Sequence, residues 1–377
     1  MNEDVLVEIL SKLPVKSLIR FRCVSQEWNA LTKNAHFIAR HLSCSDPNRY
    51  VFLDRLAGND GNTTRLYHLY GMSLLQDDGE KAKFTSLDLP FFKHKSWLAA
   101  NYLGSSNGLV CLLLEDENCI TKEMEDSIVV CNPATRDFRY LPTPTPFRKK
   151  GDWPLLCFEF MHDSREFKLA SIFPYVSDNG SEVGLTFQAQ VFTQSTNSWR
   201  QVINKLEFPS SKRDCHTYSS KCLNGVMYWA AKDTKSNENY ALSFDIYDEV
   251  FHVIDLPMLR LPENVHLRNR PSFLIWKNSL AMLLPSLPTG YYQVLWVMTK
   301  SGTTSTFSWT RQLRLRTSSI PWRVMGFLKD QLLLKTWKDI LALYDPETKK
   351  LRKIPTHKSA KRYCQFHHYV QSLLPIR

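Results

Sequence analysis

Two hydrophobic periods divide this chain. Over residues 1–42 the apolar positions Val5, Leu6, Ile9, Leu10 and Leu13 recur at three- and four-residue steps, which predicts a helix that Pro14 stops. A second short stripe follows in Leu18, Phe21 and Val24. Ser25 then offers an N-cap for a third helix, with Trp28 and Leu31 on one side. Three short helices in so few residues enclose little interior, so the unit is expected to dock on something else.

From about Arg49 the pattern changes to short alternating or apolar runs bounded by turn residues. Leu109–Leu112, Ser127–Val130, Ala189–Phe192, Val226–Trp229 and Leu332–Leu334 read as strands. The runs also repeat. Turn-then-apolar units begin near Asn107-Gly108, His162-Asp163, Asn224-Gly225, Lys277-Asn278 and Lys329-Asp330, at intervals of about 55, 62, 54 and 52 residues. A second turn closes each unit, at Asn132–Phe138, Thr196–Trp199, Asp245–Phe251 and Asp345–Leu351, with a weaker version at Phe307–Trp309. A period near 50 residues holding two hairpins is that of a propeller blade. Five units, with preceding strands near Tyr50–Leu53 and Leu66–Leu69, suffice to close a ring. The predicted class is therefore α plus all-β: a short three-helix unit (1–42), then a β-propeller-like domain (43–377).

Composition narrows the setting. With 43% hydrophobic and 23% charged residues among 377, the chain has the make-up of a folded globular protein. Its apolar runs are far shorter than a membrane helix needs, and Asn2, Glu3 and Asp4 open it in place of a signal sequence. Nine scattered cysteines, without a C-x-x-C pair, suggest free thiols in a reducing compartment, either cytoplasm or nucleus. The net charge of +11 is uneven: sixteen Lys and Arg against four acids lie between Lys300 and Arg377, giving that end +12. Its densest part holds Lys349, Lys350, Arg352 and Lys353, while the opposite sign collects at Glu115, Asp116, Glu117 and Glu123. These two clusters are the candidate contacts for a bound protein. Solvated loop charge is the blander account of the basic one, and without interleaved stacking aromatics nucleic acid is the weaker ligand.

No catalytic signature is present: G-x-S-x-G, H-E-x-x-H, the P-loop and G-x-G-x-x-G are all missing. His367-His368 has no partner ligands at metal spacing, so neither metal nor other cofactor is expected. Asn107-Gly108 and Asn224-Gly225 read as turns demanding positive φ, and Trp199, Trp229, Trp296, Trp309 and Trp337 as packing between blades.

The helical unit resembles an F-box. The likeness is carried by Glu8-Ile9-Leu10 and by Leu13-Pro14-Val15-Lys16-Ser17-Leu18, Arg20-Phe21, Val24-Ser25 and Trp28. The strand region resembles the plant F-box-associated domain, related to kelch propellers, through Gly104–Cys111, Asn132-Pro133-Ala134-Thr135-Arg136, Asn197-Ser198-Trp199, Asn224–Trp229 and Ser243-Phe244-Asp245. The resemblance implies a substrate receptor of an SCF-type ubiquitin ligase, non-catalytic, joined to a Skp-family adaptor and through it to cullin and RING subunits. Leu6, Leu10, Leu13, Pro14, Val15, Leu18, Val24 and Trp28 are the implied adaptor-facing residues. At the start the chain departs from the pattern, having no Leu-Pro pair before Glu3, which predicts a weaker first adaptor contact or a truncated start. The ending Tyr369–Leu373 is similar to the S-locus F-box group, implying a role in self-incompatibility with a pistil ribonuclease as target. Such a basic protein would be repelled by a +12 segment and would need the acidic cluster or the loops near Asn179–Glu182. The alternatives are a propeller binding protein, glycan or RNA whose F-box engages no adaptor, and an oxidase requiring a copper site that the sequence does not show.

Overall fold

The computed structural model describes residues 3–45, 50–55, 71–77, 82–87, 89–94, 97–116, 127–145, 155–176, 184–210, 215–236, 238–257, 272–286, 292–301, 306–316, 322–336, 340–354 and 366–376. The chain opens with four helices, not the three expected: α1 (Glu3–Leu10), α2 (Val15–Phe21), α3 (Gln26–Lys33) and α4 (Ala35–Cys44). Pro14 lies between the first two with φ −60° and ψ 142°; it cannot extend α1, and its carbonyl accepts the first bonds of α2, from Ser17 and Leu18. Ser25 caps α3, its hydroxyl accepting from the Trp28 N–H at 3.1 Å. The unexpected helix starts without a linker. Asn34 ends α3 and also caps α4, its Oδ1 accepting from the N–H groups of His36 (2.8 Å) and Phe37 (3.3 Å). The inward face of α4 is Phe37, Ile38 and His41, a stripe that a histidine makes hard to recognise as apolar.

Strands β1 (Tyr50–Arg55), β2 (Gly71–Asp77) and β3 (Ala82–Leu87) come next, then one helical turn, α5 (Phe91–His94). Five sheets of four consecutive strands follow. They are formed by β4 (Trp97–Ser106), β5 (Leu109–Asp116), β6 (Ser127–Asn132) and β7 (Asp137–Leu141); by β8 (Leu155–Met161), β9 (Glu166–Val176), β10 (Leu185–Thr193) and β11 (Ser198–Phe208); and by β12 (Cys215–Leu223), β13 (Val226–Lys232), β14 (Asn239–Asp245) and β15 (Val250–Asp255). The last two are β16 (Ser272–Trp276), β17 (Ser279–Ser286), β18 (Tyr292–Ser301) and β19 (Thr306–Arg316), then β20 (Trp322–Leu328), β21 (Gln331–Thr336), β22 (Leu341–Tyr344) and β23 (Leu351–Ile354). A final strand, β24 (Phe366–Tyr369), pairs antiparallel with β1, so a sixth sheet runs in the order β24-β1-β2-β3. These are the blades of a β-propeller. Its five predicted repeats match the five consecutive sheets, and Leu66–Leu69 lies outside the described residues. By contact the chain divides into two compact units, Met1–Thr143 with Leu328–Arg377, and Pro144–Phe327.

Repeated turn chemistry explains the repeated strands. The first hairpin turn of a blade needs positive φ at its central residues, and Asn107 (53°) with Gly108 (83°) and Asn224 (48°) with Gly225 (74°) supply it. Between third and fourth strands, one side chain folds the turn over itself. The Oδ1 atoms of Asn132, Asp245 and Asp345 each accept N–H bonds from residues two and three further on. Within the blades the apolar strands become core: Val110, Leu112, Leu114, Val129 and Cys131 pack with Phe91 and with Tyr369 from β24. In the other unit Trp229 is fully buried among Phe187, Phe244 and Leu242. The expected packing role of the tryptophans holds there, while Trp337 is outside the described residues.

The cysteines follow their strands. Cys111 and Cys131 are buried and burial raises both thiol pKa values, so they behave as small apolar residues. One pair corrects the expectation of free thiols throughout. Cys157 on β8 and Cys222 on β12 are disulfide-bonded, with Cα atoms 5.8 Å apart and 65 residues between them. One repeat of separation carries the second cysteine to the neighbouring blade's first strand, which a local motif search does not test.

Two outcomes are expected. Gly108→Ala costs about 2–3 kcal/mol in urea denaturation, because an added Cβ would lie 2.8 Å from the Val370 carbonyl oxygen at a φ that alanine resists. Gly326→Ala, with open space around the new carbon, serves as the near-neutral control. A non-reducing peptide map links Cys157 to Cys222 and Cys222→Ser abolishes the link; a loop of this length is worth about 4 kcal/mol in the chain-entropy model, lost on reduction.

Candidate functional site

The apolar residues of the four helices separate into those that close a core and those left outside it. Leu10, Val15 and Leu18 are buried with Phe37 and Ile38, and Leu6, Leu13 and Trp28 pack half-buried against that cluster. Trp28 meets Phe21 edge-on, ring centroids 4.8 Å apart. Of the eight predicted adaptor residues, Pro14 and Val24 alone are exposed, Val24 at 70%. Two further apolar positions stand in solvent on α1: Val5 at 48% and Ile9 at 51%, four residues apart and so on one face. Sequence periodicity places both in the helix but does not mark them as contact residues. Their signal is the surplus: α1 carries a second i, i+4 apolar pair beside the Leu6–Leu10–Leu13 stripe, more than a helix this short can bury on one side.

The turn that presents Val24 is fixed from below. Arg22 donates from Nε to Thr32 Oγ1 at 3.1 Å, and Thr32 Oγ1 donates to the Trp28 carbonyl at 2.9 Å. Helix α1 is tied to α4 by charge: Glu8 pairs with Lys12 at 2.8 Å and with Arg40 at 2.7 Å. The Lys12 and Arg40 hydrogen bonds hold the Glu8 carboxyl down, from 4.5 to about 2. Under α4, buried His41 bonds through Nε2 to the Leu13 carbonyl at 3.0 Å, and desolvation lowers its pKa below 6.5.

The two charged clusters fare differently. Lys349 and Lys350 are exposed in the turn between β22 and β23, Lys349 with φ 57°, and Lys353 is exposed on β23, the outermost strand of its sheet. Half-buried Arg352 points to the opposite face of that strand, so the four cations do not share one surface. Glu115 and Asp116 are the last two residues of β5, while Glu117, Glu123 and the Asn179–Glu182 loop lie outside the described residues. Among the described residues no group of three or more His, Cys, Asp or Glu is placed to hold a metal ion, and no helix is long and apolar enough to cross a membrane.

A small helical unit with exposed apolar residues, followed by a propeller, defines a class of two-part proteins. Comparison with known families makes the assignment: residues 1–40 match the F-box domain and residues 105–376 match the F-box associated beta propeller domain. The chain belongs to the F-box family with the associated propeller. An F-box protein of Arabidopsis thaliana is 28% identical over 270 residues, covering 70% of this chain and 62% of that protein. Another from the same plant is 25% identical over 423 aligned positions, covering 99% of this chain and 84% of its own length. The chain thus spans about six tenths of the first of these relatives. Among solved structures, the β-propeller domain of the Trilobed protease from Pyrococcus furiosus aligns at 13% identity and a TM-score of 0.37, covering 68% of this chain and 71% of that one, too loose a likeness to carry an argument.

Acid should loosen the helices in two steps, read by circular dichroism. His41 resists protonation in the folded state, so stability falls as pH drops below about 6.5. Glu8 has its pKa depressed by folding, so its contribution is complete above 4.5 and disappears as pH falls toward about 2. The Glu8 ion pairs are solvent-exposed, so high salt weakens the second step.

Proposed function

We propose that this protein is a substrate-recognition subunit of an SCF-type cullin-RING ubiquitin ligase. Its helices would bind a Skp-family adaptor, which connects to cullin and RING subunits, and its propeller would hold a target protein. The chain's contribution is tethering. Keeping the target beside a ubiquitin-loaded conjugating enzyme raises the effective concentration of its lysines, and no bond is made or broken by this chain's own side chains. The observation that carries the reading is the exposed apolar set Val5, Ile9 and Val24 on an F-box whose other large apolar side chains are buried or half-buried.

For the target, the proposal is a protein. The S-locus ribonuclease expectation rests on Tyr369–Leu373, and of these Tyr369, Ser372 and Leu373 are buried. That likeness therefore follows from how the fold is closed and supports no particular target. The exposed Lys349, Lys350 and Lys353 favour an acidic partner over a basic one. Cytoplasm and nucleus are the compartments in which such a ligase would act.

The test is co-purification of the full chain with a plant Skp-family adaptor. Ile9→Asp and Val24→Asp, both at exposed positions, should each weaken binding about tenfold or more while leaving the circular dichroism spectrum unchanged. Leu18→Asp should instead unfold the helices, since Leu18 is wholly buried. Failure of the folded wild-type chain to bind would sink the ligase role and leave the propeller as a binder in its own right.

A further inference from the structure

We infer that residues 369–374 form a latch that sets the adaptor-binding helices in position, with Leu373 and Asn132 as positioning residues that do not themselves touch the adaptor. The functional consequence rests on the adaptor reading above; the latch itself does not.

Leu373, 2% exposed, completes the core built from Leu10, Val15, Leu18, Phe37 and Ile38, and Leu374 and Ala134 pack beside it. An extended segment has no helix of its own to hold such a residue in place, so its backbone must be gripped from elsewhere. Asn132, fully buried at the end of β6, provides that grip. Its Nδ2 donates to the Ser372 carbonyl at 3.1 Å and to the Leu374 carbonyl at 2.8 Å, bracketing Leu373. The same side chain folds its own turn, Oδ1 accepting from Ala134 at 2.9 Å and Thr135 at 3.3 Å. Its four bonds use both ends of the amide.

The corresponding turns show why an amide stands here. Asp245 and Asp345 make the same Oδ1 turn in their blades, so a carboxylate suffices to fold it. A carboxylate cannot donate, and at position 132 two carbonyl oxygens wait for donors. Further contacts hold the latch to the same sheet. Ser105 Oγ donates to the His368 carbonyl at 3.0 Å and Tyr369 is buried in the core around β5 and β6, while within the latch itself Ser372 Oγ accepts from the Leu374 N–H at 3.2 Å. The absence of a side chain on Gly108 leaves room for Val370 and Ser372 to pass. One short segment thus joins the first sheet of consecutive strands to the helical core.

Hydrogen–deuterium exchange on the full chain tests the latch. Asn132→Asp keeps the turn but removes both donors and buries a charge against two carbonyls; Leu373→Ala removes only the side chain that enters the helices. Both should raise exchange in α1–α4 at least tenfold, leave β8–β19 protected, and weaken adaptor binding about tenfold although neither residue is on the exposed apolar set. Unchanged exchange in α1–α4 in both variants would overturn the latch, as would protection lost equally through β8–β19, since the segment would then be a general prop. A wild-type chain that binds no adaptor while the exchange coupling holds would overturn the adaptor reading alone. Ile9→Asp, which should lose binding without raising exchange, separates contact from positioning.

Discussion

The buried amide of Asn132 is the constraint on which the two parts of this protein meet. Each of its two donated bonds is worth about 1 kcal/mol net, but leaving the two carbonyls without donors costs about 1–3 kcal/mol apiece, so the grip matters most when it is broken. What it holds is Leu373, whose burial is worth roughly 1.5–3 kcal/mol to a helical box with little interior of its own. The exposed set Val5, Ile9 and Val24 is therefore a surface on an object that does not stand alone. These residues can remain apolar in solvent while the interior behind them is completed from the propeller side.

Much of this architecture was legible in the sequence, and for a physical reason. Blade turns need particular backbone angles, and Asn-Gly pairs and turn-capping Asn or Asp recur where those angles occur, so the repeat showed through. The apolar runs between them became the strands expected. The fourth helix was harder to read because its cap, Asn34, doubles as the end of α3 and its buried face includes His41. The Cys157–Cys222 pair joins corresponding strands one repeat apart, a relation that spacing motifs do not encode.

The candidate site was legible as a segment and not as a surface. Helical periodicity identifies which residues are apolar, but which of two apolar stripes faces out depends on what packs behind them. Here that includes Leu373, from the far end of the described chain. Hence Leu10, Val15 and Leu18 proved to be interior, while Val5 and Ile9 stand outside. Charge had the same limit. The positive excess after Lys300 was plain from composition, yet pleating sends Arg352 and Lys353 to opposite faces of one strand, and Arg311 and Arg314 belong to a different sheet.

Because Leu373 belongs to the core of helices α1–α4, the order of manufacture matters. The helices leave a ribosome before the sheets do, and Leu373 follows only after the six sheets of the described residues have supplied their earlier strands. A growing chain therefore carries an F-box with an unfilled interior until Leu373 has been made. Interruption anywhere between β1 and β24 leaves that interior unfilled. The late segment 369–374 is thus a condition for a closed helical core, and a fragment cut short of it lacks the interior behind the exposed Val5, Ile9 and Val24.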